Sequence, residues 1–268
     1  MGRLPKQVTD ARRERLRELL ARTTYLPLKR VCQELGVSQA TARRDLASLE
    51  VRKLVRRTHG GALSPYAGAL GDFELFFPTF DQRRGDCEPA KRAIARAASS
   101  LVKLGDTVFI DAGTTCFAVA EEIERSALRG ITVVTHNLAV AVKLGAIDGI
   151  RVEVLGGTLL PRQAALFGDE ACRAISARRI DLALLCAEGF DTSGVWNSQE
   201  DVVRLQRSAM AAAARVALLI DSSKLRRQGP VLLSPWTAVH LLVTDASPAK
   251  LKRAHIDPAP NRVLIATL

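Results

Sequence analysis

Two groups of residues have types and spacings suited to holding anions. The first is Ser38, Gln39, Thr41, Arg43 and Arg44, directly after Leu35-Gly36-Val37. Glycine permits a tight turn, Ser38 can accept amide hydrogens at the start of a new helix, and Leu46 and Leu49 return one face to a core. Gln39, Thr41, Arg43 and Arg44 are then free for contacts outside it. Arginine's planar fork grips a guanine edge or a phosphate with two hydrogen bonds, so the chemistry is DNA binding. The second group is Asp111-Ala112-Gly113-Thr114-Thr115. It offers a close backbone approach, two hydroxyls and the positive end of the following helix, which together make a phosphate cradle. The same residues also serve as a plain strand-to-helix turn.

The elements around the first group decide its meaning. Arg12 to Arg22 places Leu16, Leu19 and Leu20 on one helical face, and Tyr25-Leu26-Pro27 breaks that helix. Leu28 to Leu35 forms a second helix and Ser38 onward a third, ending near Val51. Leu54 to Leu63 then reads as strand, glycine turn and strand. Three helices and a basic hairpin make a winged helix-turn-helix, a small α+β domain over residues 1–63. In that architecture the third helix enters the major groove and the hairpin tracks phosphates. Gln39, Thr41 and Arg43 are therefore the base-side candidates, and Arg44, Arg56 and Arg57 the backbone-side ones, with Ser38 in the DNA-binding set at the helix start. His59 sits at the wing turn, where it packs or caps. Asp45 is expected to orient an arginine.

Residues 64–85 lose periodicity and read as a linker, yet they hold Phe73, Phe76, Phe77 and Phe80, half of the eight phenylalanines. Such a segment should pack on a domain or a partner subunit. Residues 86–268 alternate helices with apolar strands at Thr107–Ile110, Ile131–Val134, Arg151–Leu155, Leu182–Cys186, Val216–Ile220, Leu241–Val243 and Val263–Ile265. This implies an α/β domain with a mostly parallel sheet covered by helices on both faces. Ligands in such sheets bind beyond the carboxyl ends of the strands. Those ends supply Thr135-His136-Asn137, Gly156-Gly157 and Lys224 beside the Asp111–Thr115 turn. Lys224 can neutralise an anion or bond a carbonyl. Asp111 and Asp221 can hold hydroxyls or cap helices. His136 can donate to a ligand or serve the structure, and Trp196 can cover the pocket.

Composition narrows the classes. Residues 1–62 carry 15 Lys/Arg against 6 Asp/Glu and the remainder 24 against 22, so the net charge of +11 is concentrated in the first quarter. A polyanion partner is the expected reason. No apolar run approaches the ~18 residues of a membrane span. The start carries no signal-peptide pattern, and a cytoplasmic location is expected. Cys32, Cys87, Cys116, Cys172 and Cys186 form no CxxC pair and no metal spacing, so neither metal nor disulfide scaffold is expected, and a redox switch has no support in the spacing. No cofactor is implied.

Together these motifs resemble the DeoR family of bacterial sugar-metabolism regulators. The likeness runs through Leu35-Gly36-Val37-Ser38, Thr41-Ala42-Arg43-Arg44-Asp45-Leu46 and Leu54 to Ala62. It continues in Lys91-Arg92-Ala93-Ile94-Ala95, Asp111 to Thr115, Gly156-Gly157, Phe167-Gly168 and Asp221-Ser222-Ser223-Lys224. The resemblance implies a repressor of a sugar or sugar-alcohol operon, released from double-stranded operator DNA by a phosphorylated metabolite. It also implies a sensor domain like ribose-phosphate isomerase in fold, and effector contacts at Asp111, Gly113, Thr114, Thr115 and Lys224. Two positions depart from the family pattern: His136-Asn137 stands where Asn-Ser is usual, and Val203 where a glutamate is usual, with Glu200 and Asp201 out of register. Either the pocket suits another metabolite or sensing is weakened.

A sugar-phosphate isomerase with a DNA-binding appendage is the alternative, but no carboxylate is identified as the general base it needs. A constitutive repressor with a relic pocket is the third reading. A single module reads only a short site, so a homo-oligomer, dimer or tetramer, is expected.

Overall fold

A computed structural model describes residues 12, 15, 16, 19, 25–51, 55–58, 60–63, 78–161, 163–256 and 262–267. The chain divides into two compact units, residues 1–76 and 77–268.

In the first unit, the helical residues Arg12, Arg15, Leu16 and Leu19 precede β1 (Tyr25–Pro27), α1 (Leu28–Leu35), α2 (Gln39–Val51), β2 (Arg56–Thr58) and β3 (Gly61–Leu63). Gly36 ends α1 at φ 61°, its N–H donating to the Cys32 carbonyl. This left-handed conformation costs glycine least. Along α2, Ala42, Asp45, Leu46 and Leu49 are buried, the three-and-four spacing of one helical face. They join Leu16, Leu26, Val31 and Val55 in a single core. The strands pair antiparallel in the order β1-β3-β2. Tyr25-Leu26-Pro27 is thus a strand of the wing sheet as well as a break between helices. Three residues are too few for alternation to reveal it.

The second unit opens with α3 (Pro78–Gly85), so the latter part of the expected linker is helical. Phe80 is buried edge-on against Phe117, with ring centroids 5.6 Å apart; Phe73, Phe76 and Phe77 lie outside the described residues. Next come α4 (Glu88–Ser99), β4 (Thr107–Ile110), α5 (Thr114–Arg125), β5 (Ile131–Thr135), α6 (Leu138–Gly145) and β6 (Ile150–Val154). A hairpin follows, β7 (Thr158–Leu160) and β8 (Ala165–Phe167), then α7 (Asp169–Ser176) and β9 (Ile180–Cys186). After β10 (Gly189–Phe190) and β11 (Val195–Asn197) come α8 (Glu200–Ala212), β12 (Ala213–Leu219), β13 (Val231–Ser234), β14 (Leu241–Thr244), α9 (Pro248–Arg253) and β15 (Val263–Ile265).

Seven strands form one sheet in the order β15-β14-β12-β9-β4-β5-β6, every pair parallel. The apolar runs of the sequence are these strands, because a parallel strand is buried on both faces. Phe109, Val134 and Leu185 pack with Ile175 of α7 and Leu205 of α8. Leu218 and Leu242 pack with Phe190, Val203 and Leu251. The hairpin β7-β8, helix α7 and the small antiparallel sheet β10-β11-β13 go beyond the sequence expectation. Helix α8 stops at Ala212, since Ala213 already pairs with Ile180 of β9.

Candidate functional site

On α2 the exposed side chains are Gln39, Ala40, Arg43 and Arg44, opposite the buried stripe, together with Val51 at the last position. Ser38 begins the helix: its hydroxyl oxygen accepts the Thr41 N–H at 3.3 Å and lies 3.1 Å from the Thr41 hydroxyl. Thr41 is half-buried and engaged in this cap, which leaves Gln39 and Arg43 as the better-presented pair. Asp45 orients an arginine, but it is Arg12 of the first helix, Nε to Oδ2 2.6 Å, with side-chain exposures of 13% and 3%. Arg57 is exposed on β2 and tied to α2, its N–H donating to Glu50 Oε1 at 2.8 Å and its Nε 3.5 Å from Oε2. Arg56 stands in β2, and His59 lies outside the described residues.

In the second unit a cleft of about 500 Å³ opens beyond the carboxyl ends of the central strands. Of the expected effector residues, Asp111, Gly113, Thr114, Thr115 and Lys224 line it. Gly113 caps α5 with no side chain, so the first-turn amides carry no side-chain cap at a wall formed by Thr114 and Thr115. The glycine itself answers a different demand. A Cβ there would stand 1.9 Å from Cys186 Sγ.

The other five expected residues stand behind the cleft. Thr135, His136 and Asn137 are fully buried. The Thr135 hydroxyl donates to the Ile110 carbonyl at 2.7 Å, and Asn137 caps α6 through the amides of Ala139 and Val140. His136 stacks on Phe109 and bridges Asp111 Oδ1, 3.1 Å from Nε2, to the Leu166 carbonyl, 3.0 Å from Nδ1. Gly156 is exposed, and Gly157 packs against Phe167, whose carbonyl oxygen a Cβ would meet at 2.3 Å. Asn137 and the glycines serve a cap or a turn, and Thr135 and His136 bond inward to backbone and to Asp111, which is why the sequence did not separate them from ligand contacts. Trp196 does not cover the cleft either; it stands in β11 and donates from Nε1 to Asp191 Oδ1 at 2.9 Å.

Asp111 organises the floor. Oδ1 accepts the Ala112 N–H and faces His136, while Oδ2 accepts Gln206 Nε2 at 2.6 Å and the Cys186 N–H at 3.1 Å. Burial alone would raise its pKa, but these bonds outweigh it and hold the carboxyl below its ordinary value. Its lone pairs serve the protein, so it positions the cleft instead of reading a hydroxyl.

The basic lining of the cleft includes, beside Lys224, residues the sequence reading left unassigned. Lys91 of α4 is 5% exposed and lines the cleft opposite Lys224. Its ammonium donates to the Arg83 carbonyl of α3, while Lys224 Nζ donates to the Ala187 carbonyl at 2.9 Å. Burial first, and the nearby Lys224 charge second, lower the Lys91 pKa. Arg83 and Arg227 extend the basic lining, and Arg83 donates to Gln163 Oε1 at 3.0 Å. Asp221 Oδ2 is buried with no hydrogen-bond partner, 3.7 Å from Lys224 Nζ, an ion-pair distance too long for a hydrogen bond. Lys91 is visible in the sequence only as a lysine on a helix that otherwise buries Ala93, Ile94, Ala95 and Ala98.

Comparison with known proteins matches residues 12–67 to the DeoR-like helix-turn-helix domain and residues 87–246 to the DeoR C terminal sensor domain. The chain belongs to the DeoR family. DeoR relatives include the HTH-type transcriptional regulator GlpR of Haloferax volcanii, 33% identical over 92% of this chain and 94% of that protein. The Glycerol-3-phosphate regulon repressor of Escherichia coli is 33% identical over 86% of this chain and 88% of its own length. The HTH-type transcriptional repressor GlcR of Bacillus subtilis is 29% identical over 86% of each. Ribose 5-phosphate isomerase A from Neisseria gonorrhoeae superposes with a TM-score of 0.38 at 16% identity over 50% of this chain and 52% of that one, too loosely to assign an activity.

As a DeoR-family member, this protein is a DNA-binding transcriptional regulator with a sensor domain. No helix among the described residues is long and apolar enough to cross a membrane. Its two departures from the DeoR pattern fall outside the cleft lining. Val203 is 1% exposed in the apolar core beside Leu218, while its neighbours Val202 and Gln206 face the cleft. His136 acts through Asp111.

Proposed function

We propose that the protein represses a sugar or sugar-alcohol operon by binding operator DNA through α2 and the wing, and that a phosphorylated metabolite in the sensor cleft releases it. The observation that carries this reading is the meeting of Lys91 and Lys224 in one cleft beside the uncapped start of α5. Two ammonium groups and oriented amides suit a dianionic phosphate, and the unpartnered Asp221 oxygen suits a hydroxyl donor beside it. The names of the relatives, among them a glycerol-3-phosphate regulon repressor, support this effector class.

A ligand moves such a switch only through differential affinity for its two states, and ~100-fold release needs about 2.7 kcal/mol of coupling. The working form is a cytoplasmic homo-oligomer, since one helix-turn-helix reads a half-site. Catalysis is outside this proposal, because both Asp111 oxygens are taken up by donors. Titrating glycerol 3-phosphate and a panel of hexose and pentose phosphates against the protein–operator complex tests it. Release by at least one of them is expected, with no interconversion of ribose and ribulose 5-phosphates by the protein. A complex indifferent to the whole panel, with no thermal stabilisation of the free protein, would overturn the reading.

A further inference from the structure

Cys116 and Cys186 are remote in sequence and meet at the floor of the sensor cleft. Their Sγ atoms and a carboxylate oxygen of Asp111 all lie within 4.8 Å of one another. Cys186, at the end of β9, is half-buried and lines the cleft, whereas Cys116, in the first turn of α5, is fully buried behind it. Cys186 Sγ donates to Asp111 Oδ2 at 3.4 Å and Cys116 Sγ to the Leu184 carbonyl at 3.5 Å. The missing side chain at Gly113 is what admits the Cys186 sulfur.

A cation suits this cluster poorly. Asp111 Oδ2 is already committed to Gln206 and the Cys186 N–H, and Lys91, Lys224 and Arg227 line the same cleft. A neutral product does suit it. Burial raises the Cys116 thiol well above its ordinary range, which makes it a poor first nucleophile. Cys186 is reachable from the cleft. The pair therefore has one accessible sulfur and one sheltered sulfur in reach of it, the arrangement of a reacting and a resolving thiol.

We propose that Cys186 and Cys116 form a peroxide-responsive dithiol in which Cys186 reacts and Cys116 resolves. Cys186 sulfur attacks a hydroperoxide ROOH: an S–O bond forms, the O–O bond breaks, and the thiol proton leaves on the alcohol ROH. The sulfur is oxidised by two electrons and the peroxide is reduced. Cys116 sulfur then attacks the sulfenic sulfur, an S–S bond replaces the S–O bond, and hydroxide departs with the Cys116 proton as water. The disulfide deprives Asp111 of the Cys186 thiol donor. It also pulls on a strand end that Gln206 ties to Asp111, since Gln206 Nε2 bonds both Asp111 Oδ2 and the Cys186 carbonyl. Oxidation thus alters the cleft floor whatever ligand the cleft takes.

The test treats the full-length protein with a stoichiometric amount of hydrogen peroxide, alkylates remaining thiols at low pH and maps the non-reduced digest by mass spectrometry. A linked Cys116–Cys186 peptide two hydrogens lighter than its parts is expected, and Cys116→Ser should leave Cys186 as a sulfenic acid that dimedone captures. Cys186 staying reduced, running on to sulfinic acid without a link, or pairing with Cys87 instead would overturn the proposal. The wild-type digest decides the matter even if the variant does not fold.

Discussion

His136 Nε2 lies 3.1 Å from Asp111 Oδ1, both side chains buried, and the opposite ring nitrogen of His136 meets the Leu166 carbonyl. The ring therefore spans from the Asp111 carboxylate to the Leu166 backbone, one nitrogen to each. The pair thus fastens the cleft floor to the β7-β8 hairpin. Asp111→Asn replaces one acceptor oxygen with an NH2 donor, while Ala112 N–H, His136, Gln206 and the N–H and thiol of Cys186 still converge on the group. A loss of about 3–5 kcal/mol is expected, as for a broken buried pair, seen as a fall in melting temperature of roughly 6–20 °C. The Asp111 carboxyl is held below its ordinary value. Its contribution is therefore full above the ordinary carboxylate pKa and disappears as pH falls through the lower folded value. Melting curves of the two proteins should converge in acid; an unchanged melting temperature at neutral pH would refute the role.

Lys91 and Lys224 should each matter for anion binding. Alanine at either position is expected to weaken a sugar phosphate by 10- to 100-fold, about 1.4–2.7 kcal/mol. Lys91 also has a pH signature. The Lys91 pKa is depressed in the free cleft, and a seated anion raises it again, so binding takes up a proton. Affinity is complete below the free-state pKa and falls as pH rises through it towards the bound value. Calorimetry should find this alkaline fall in the unaltered protein and find it diminished in Lys91→Ala. Equal pH profiles in the two would count against the assignment.

Operator recognition is expected to divide between α2 and the wing. Arg43→Ala should lose discrimination between operator and random DNA, whereas Arg57→Ala should weaken both alike and reduce the salt slope by about one. Glu50→Ala should reproduce part of the Arg57 effect, because Glu50 holds the wing arginine in place. Gel-shift titrations at several salt concentrations measure all three. Equal losses of Arg43→Ala on both DNAs would remove it from the base-reading set.

The first unit has its own buried pair. Arg12→Ala removes the guanidinium that lies 2.6 Å from the 3% exposed Asp45 carboxyl, at a cost of about 1.5–3 kcal/mol for a lost hydrogen bond between charged groups. DNA affinity should fall through unfolding of this unit, with the sensor transition in a melting scan unmoved. A variant that keeps its fold and loses only affinity would point instead to direct contact between Arg12 and DNA.

Much of this was legible in the residues. Helical spacing revealed α1 and α2, apolar runs revealed all seven strands of the parallel sheet, and Gly36-Val37-Ser38 marked the turn. That the Asp111–Thr115 turn and Lys224 share a cleft was legible because charge, hydroxyls and strand ends coincide there. Lys91 escaped, since a lysine on an amphipathic helix looks solvated until the fold buries it. That His136 and Asn137 lie outside the cleft lining was not legible, because a strand-end polar residue reads alike whether it touches a ligand or a backbone. Cys116 and Cys186 were invisible as a pair because spacing along the chain says nothing about a helix turn and a strand end brought together by the fold.

Helix α3 gives the molecule a practical seam. It is the first element after the DNA-binding unit, it contributes Arg83 to the cleft, and its backbone holds the Lys91 ammonium. An engineer transplanting this sensor onto a different DNA reader would have to cut ahead of Pro78, within the stretch after Leu63. A graft that began at Glu88 would carry the sheet and most of the basic lining, but would leave behind the piece of wall through which the cleft is continuous with the chain leading to the reader.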